Sequence, residues 1–163
     1  MESLSIRAAT IADVPLILAF IRKKAAFDAT MGNFNGVLET SEQAIEHTMF
    51  AAQPFAHVRF ASSGEQVGGF ALYYFRYSSF RGRASLWLDD LYVNEAMRGR
   101  RLGAALMQQL AREALAHGCT EMAWTASAKN EAGIRFYVRL GATEYDRRGN
   151  LVFFRIDASA LVQ

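Results

Sequence analysis

The stretch LWLDDLYVNEAMRGRRLGAALMQQL, residues 86–110, forces a strand and a helix to share one basic turn. Leu86, Leu88, Leu91 and Val93 form an apolar, β-rich run broken by two acids, Asp89 and Asp90. Residues 94–101 carry turn formers and arginines. From Leu102 the apolar positions Leu102, Ala105, Leu106 and Leu110 recur three and four apart, the spacing of one helix face. A glycine-bearing basic turn that leads into a helix N-terminus can hold phosphate. The N–H groups of the first helical turn have no partner inside the helix, and the helix dipole adds partial positive charge. Gly99 and Gly103 let a ligand approach the backbone closely, and Arg98, Arg100 and Arg101 add full charges. The plainer alternative is a surface turn with solvated arginines.

Composition narrows the classes. At 163 residues the chain predicts one domain, residues 1–163, with room for a sizeable core. A net charge of +2 is too small to argue for nucleic acid, and the dense basic run is short and sits ahead of a helix, which favours a compact phosphate ligand. One cysteine, Cys119, excludes an internal disulfide and suits a reducing compartment; as a side chain it reads as a small buried hydrophobe. No apolar run reaches the length of a membrane span, and residues 1–10 lack an apolar signal core, so a cytoplasmic protein is expected. His47, His57 and His117 are scattered, so no metal is expected, and no Ser-His-Asp or Cys-His arrangement can be argued for a covalent acyl-enzyme.

The rest of the chain supplies the other elements. Residues 4–7 alternate as a first strand. Thr10 to Asp13 reads as a capping box ahead of a helix whose face carries Val14, Ile17, Leu18, Ile21 and Ala25. The helix should fade in TMGNFNG, residues 30–36, and Thr40 or Ser41 should cap a second one through Phe50. Residues 57–61 and 67–77 predict a hairpin across Ser62-Ser63-Gly64-Glu65. The central strand runs over 84–93, and after the basic-turn helix a strand at 121–126, a helix at 130–140 and a strand pair at 143–145 and 151–156 follow. The order βααβββαβαββ predicts a mixed α/β sheet with helices on both sides.

Arg98-Gly99-Arg100-Arg101-Leu102-Gly103 resembles motif A of the GNAT N-acetyltransferases, R/Q-x-x-G-x-G/A, with Arg101 standing where the first glycine of the pattern falls. A register starting at Arg100 also satisfies the pattern but sets the turn two residues later. Residues 130–142, NEAGIRFYVRLGA, resemble motif B, N-x-x-A/S-x-x-F-Y-x-x-x-G-F/A. Four further segments, IRAAT at 6–10, GFALYYF at 69–75, LDDLYV at 88–93 and FFRID at 153–157, are similar to the diamine (spermidine/spermine) N-acetyltransferase branch, which includes enzymes acting on thialysine and related amines.

The resemblance implies a GNAT fold with a splayed sheet, acetyl-CoA as cosubstrate, a small-molecule amine as acceptor, a homodimer and direct attack in a ternary complex. It places the pantetheine amides against the backbone of Leu91, Tyr92 and Val93, and the diphosphate on Arg98, Gly99, Arg100, Arg101, Leu102, Gly103 and Ala104. Asn130 would help to hold the pantetheine arm. Tyr137 would protonate the departing thiolate: a thiol titrates near ~8.5 and a phenol near ~10, so the phenolic O–H can donate to developing S⁻. The alternative for Tyr137 is a core aromatic, with its neighbour Phe136 the better core candidate. Asp28, Asp89 and Asp90 would bind the amine, with Asp89 removing its proton. Alternation on a strand would turn Asp89 and Asp90 to opposite faces unless a bulge intervenes. Where the branch has acids near the final hairpin, this chain has Arg147, Arg148 and Gly149, which argues against a long polycation and for a short diamine or a lysine-like amino acid. The reading from a different class is a CoA-binding regulator without turnover.

Overall fold

The computed structural model describes residues 3–163. Its elements are β1 (Leu4–Ala8), α1 (Val14–Thr30), α2 (Glu42–Met49), β2 (His57–Ser63), β3 (Gln66–Ser78), β4 (Arg83–Val93), α3 (Leu102–Ala116), β5 (Glu121–Ser127), α4 (Glu131–Arg139), β6 (Thr143–Arg148) and β7 (Leu151–Asp157). The order is the one the sequence predicts. Three short 3-10 turns, at Ile11–Asp13, Glu95–Met97 and Ala158–Leu161, were not foreseen.

Local chemistry explains the boundaries. The Asp13 carboxylate accepts from the Thr10 backbone N–H at 2.7 Å and from the Arg7 guanidinium at 2.7 and 2.8 Å, so one acid both closes the capping box and ties the helix entry to β1. Ser41 caps α2, its hydroxyl accepting from Ala44 N–H at 3.1 Å.

The strands form one seven-stranded sheet in the order β1-β2-β3-β4-β5-β7-β6. Only β4 and β5 are parallel neighbours. Helices α1 and α2 cover one face, packing Val14, Ile17, Leu18, Phe20 and Ile45 on Val58, Phe60, Phe70 and Leu72. Helix α3 covers the other, with Leu102, Leu106, Met107 and Leu110 against Ala71, Tyr73, Leu86 and Leu88.

Two irregularities of β4 shape the molecule. Its pairing with β5 consists of Leu86 opposite Met122 and Trp87 opposite Ala123, after which the strands part. From Leu88 onward, that side of β4 has no ladder partner, and a cleft opens there. On the other side of β4 the register with β3 shifts: Leu72 lies opposite Asp90, but Tyr73 lies opposite Leu88. Asp89 is the extra residue of a β-bulge. The apolar residues record the same event, because Leu86 and Leu88 face α3 and so do Leu91 and Val93, whereas Tyr92 packs on the α1 side. The parity of the strand changes between 88 and 91. Asp89 and Asp90 therefore both turn toward α1, contrary to the alternation expected from sequence.

Candidate active site

The turn after β4 is folded back onto β3. Asn94 N–H donates to Gly68 C=O at 2.8 Å, and Met97 sits so close over Gly68 that a Cβ there would lie 2.3 Å from its sulfur. Arg98 Nε donates to Val93 C=O at 3.1 Å, and its guanidinium lies over the rings of Phe27 and Tyr92 at 5.6 and 5.7 Å. The chain then reverses through Gly99 at φ 82° and Arg101 at φ 68°. Arg101 is the N-cap residue of α3 and, among the described residues, the only non-glycine with positive φ. The left-handed backbone explains why the motif A pattern has glycine at this point: only glycine enters that region without steric cost. It also sets the turn where the register starting at Arg98 puts it.

From this turn a groove of about 400 Å³ runs between the parted strands. Its outer end carries Arg98, Gly99, Arg101, Leu102, Gly103 and Ala104, its wall Leu91, Tyr92 and Val93, and its far side Asn130 and α4. The N–H groups of residues 102–104 belong to the unpaired first turn of α3. Together with the arginines they make an anion-accepting end on an otherwise apolar channel. A Cβ at Gly103 would stand 3.3 Å from the Phe136 ring, a tight contact that a side chain there could make only if the ring gave way slightly. Asn130 lines the groove while its Oδ1 accepts from Gly133 N–H at 3.0 Å, capping α4. Arg100 is exposed and lies outside the lining.

Tyr137 closes the inner end. It is the buried residue of α4, at 9% exposure, with its ring against Trp124, Phe154 and Phe136 at centroid distances of 5.0, 5.5 and 5.2 Å. Phe136 is only half-buried and lines the groove together with Tyr137, so Tyr137 and not Phe136 is the more buried of the two, contrary to the sequence expectation. Burial pushes the Tyr137 phenol well up, and the Asp28 and Asp90 carboxylates add to the effect. The group is thereby held as a neutral O–H donor across the physiological range.

Those two acids come from different elements, Asp28 from α1 and Asp90 from the bulge of β4, and neither they nor Asp89 line the groove itself. Between them lies Lys24, its Nζ 2.5 Å from Asp28 Oδ2 and 3.8 Å from Asp90 Oδ1. Burial raises the Asp90 pKa to about 6; Lys24 works against the shift, while Asp89 and Asp28 add to it. Asp89 itself is exposed, and it acts electrostatically on Tyr74 as well as on Asp90. The end of α1 is pinned to the far side of the sheet. Asn150 donates to Met31 C=O at 2.8 Å and to Asn33 Oδ1 at 3.0 Å, while Asn33 N–H donates to Asp28 C=O at 2.9 Å.

The hairpin arginines carry less weight than their sequence positions suggested. Arg147 pairs with Glu144 at 2.9 Å and Arg148 with Asp146 at 2.8 Å, so the hairpin neutralises them itself. The residues that the sequence reading passed over are Lys24, Phe27 and Arg139. Lys24 is four residues before Asp28, a helix ion-pair spacing visible in sequence. Arg139 shares the groove-lining face of α4 with Ala132 and Phe136, again at helical spacing.

The profile of the acetyltransferase (GNAT) family matches residues 24–142, from Lys24 through the end of the motif B segment. The chain belongs to the GNAT acetyltransferase family. As a GNAT enzyme it is an acetyl-CoA-dependent acyltransferase. Mouse thialysine N-epsilon-acetyltransferase is 30% identical over 169 aligned positions, covering 99% of this chain and 96% of the mouse protein. A human spermidine/spermine N(1)-acetyltransferase-like protein 1 is 29% identical over 99% of this chain, which spans 24% of that longer protein. Among solved structures, the PaiA N-acetyltransferase of Thermoplasma acidophilum, in complex with coenzyme A, superposes with a TM-score of 0.70 over 95% of this chain and 99% of its own, at 15% identity. That likeness is one of GNAT fold. No helix among the described residues is long and apolar enough to cross a membrane.

Proposed function

We propose that this GNAT domain, residues 1–163 acting as one unit, transfers acetyl from acetyl-CoA to the terminal amine of a lysine-like amino acid or a short diamine. The observation that carries the reading is one continuous groove, anion-accepting at the α3 turn and ending at the Tyr137 phenol with two carboxylates beside it. In this reading the diphosphate lies on the N–H groups of residues 102–104 with Arg98, Arg101 and Arg139 nearby. The pantetheine amides take up the ladder positions that β4 leaves open at 91–93, and Asn130 stands beside the arm.

The amine enters from the α1 side, drawn by Asp28 and Asp90. Its ammonium gives up a proton to Asp90, which takes the role first assigned to Asp89; a carboxylate whose pKa is near 6 is a better base at neutral pH than an ordinary one. The free nitrogen attacks the thioester carbonyl carbon, the C–S bond breaks, the sulfur takes the Tyr137 proton, and the second proton shed by the amide nitrogen restores the phenol. Holding amine and thioester together supplies much of the acceleration. The thialysine acetyltransferase relatives support the lysine-like class. We further propose a homodimer acting in a reducing, cytoplasmic setting.

The test is a thiol-release assay with acetyl-CoA over lysine, thialysine, ornithine, 1,4-diaminobutane and spermidine, with calorimetry of CoA binding alongside. Turnover highest on a lysine-like amine supports the reading. Tight CoA binding with no turnover of any amine would favour the regulator instead.

A further inference from the structure

Lys24 occupies the place that the acceptor amine should need. Its ammonium lies between the Asp28 and Asp90 carboxylates, and the side chains of Lys24, Asp28 and Asp90 are only 20%, 28% and 21% exposed. Two features separate this from an ordinary surface ion pair. The lysine bridges two elements, helix α1 and the bulge of β4. The cluster also lies within electrostatic reach of the phenol that closes the groove, since both carboxylates act on Tyr137. The groups facing it are Lys24 and Asp28 from α1, Asp90 and the exposed Asp89 from β4, and neutral Tyr137 from α4. Lys24, Asp28 and Asp90 together carry one net negative charge.

We infer that Lys24 is a specificity-determining residue: its ammonium stands in for a second ligand cation between Asp28 and Asp90, so that the site accepts one ammonium and discriminates against a dication. The inference rests on the proposed amine acetylation and names the kind of amine. A substrate that presents a single ammonium meets one uncompensated carboxylate. A compact diamine brings a second positive charge, which must either lie close to Lys24 or displace it. An amino acid with a side-chain amine avoids the conflict, because its α-carboxylate offsets its α-ammonium. The hairpin arginines, neutralised by Glu144 and Asp146, leave Lys24 as the cation placed to make this choice.

The experiment compares kcat/KM for 1,4-diaminobutane and n-butylamine, amines of equal chain length that differ by one charge, in wild type, Lys24→Met and Lys24→Arg. Removing the charge should raise the diamine-to-monoamine ratio by about tenfold, as expected for one unit charge within a few ångströms in a partly screened site. The change should appear in KM, and Lys24→Arg should keep the wild-type ratio. An unchanged ratio in Lys24→Met that melts like wild type overturns the inference while leaving amine acetylation standing. If no amine is turned over by wild type, the parent reading fails instead. Calorimetry of 1,4-diaminobutane on the same CoA-loaded proteins then decides Lys24: tighter binding to Lys24→Met supports its role and equal binding refutes it.

Discussion

Replacing Arg101 by glycine should push stability and cofactor binding in opposite directions. At φ 68° and ψ 5° the Arg101 backbone is left-handed. For a residue with a Cβ, that conformation costs about 1–2 kcal/mol. Glycine removes this cost but brings a more flexible unfolded chain, which takes back about 0.5–1 kcal/mol. The side chain is exposed, so little packing is lost. The balance is a gain between about zero and 1.5 kcal/mol, or a rise in Tm of up to about 6 °C for a chain of this length. Binding should move the other way. Arg101 lines the anion-accepting end of the groove, and a charge-assisted hydrogen bond to phosphate is worth about 1.5–3 kcal/mol. Its loss should weaken CoA by about 10- to 150-fold.

Thermal unfolding of the ligand-free protein measures the first effect, and calorimetry with CoA at two salt concentrations measures the second. Arg101→Lys separates the two causes, because it keeps both the strained backbone and a charge. It should melt like wild type and retain part of the affinity. A glycine variant that melts lower than wild type would refute the strain argument. Unaltered CoA affinity would show that the guanidinium does not reach phosphate. Either result alone is decisive, since the two effects share no physical origin beyond the residue itself.

Tyr137→Phe should lower kcat by about 100-fold or more while leaving CoA affinity unchanged, the pattern of a lost general acid; wild-type turnover would refute that role. Asp90 must be ionised to accept a proton, so kcat/KM should rise with pH through about 6, and Asp90→Asn should abolish that limb together with most of the activity. Asp89→Asn, at an exposed position, should change turnover far less than Asp90→Asn; the reverse ranking would return the base role to Asp89. Asp13 has its pKa lowered to about 2, chiefly by its hydrogen bonds with Arg7, so its stabilisation is present above its ordinary value of 3.8 and is lost as pH falls from there toward 2. Asp13→Asn should therefore cost about 1 kcal/mol at neutral pH in a denaturant melt, and the gap to wild type should close in acid.

What could be read from the sequence were the features whose causes are local. The basic turn, the capping box at Thr10, the Ser41 cap and the hairpin across 62–65 each depend on a few neighbouring residues, and each stands where those residues put it. The anion-accepting end of the groove was legible for the same reason. The acid end was not, because it is assembled from α1, β4 and α4, and its geometry depends on how β4 pairs with β3. Strict alternation separates Asp89 from Asp90; the bulge brings them to one face. Yet the bulge leaves a trace in the apolar residues rather than in the acids. Leu86 and Leu88 are two apart, Leu91 and Val93 are two apart, and the step between the pairs is three. A strand that must bury all four on α3 can do so only by gaining a residue between 88 and 91, and both positions in that interval are aspartates. The core's demand for burial thus places two carboxylates on the α1 face of the strand. With Asp90 there, Lys24 supplies a counter-charge between it and Asp28, two acids that would otherwise repel one another.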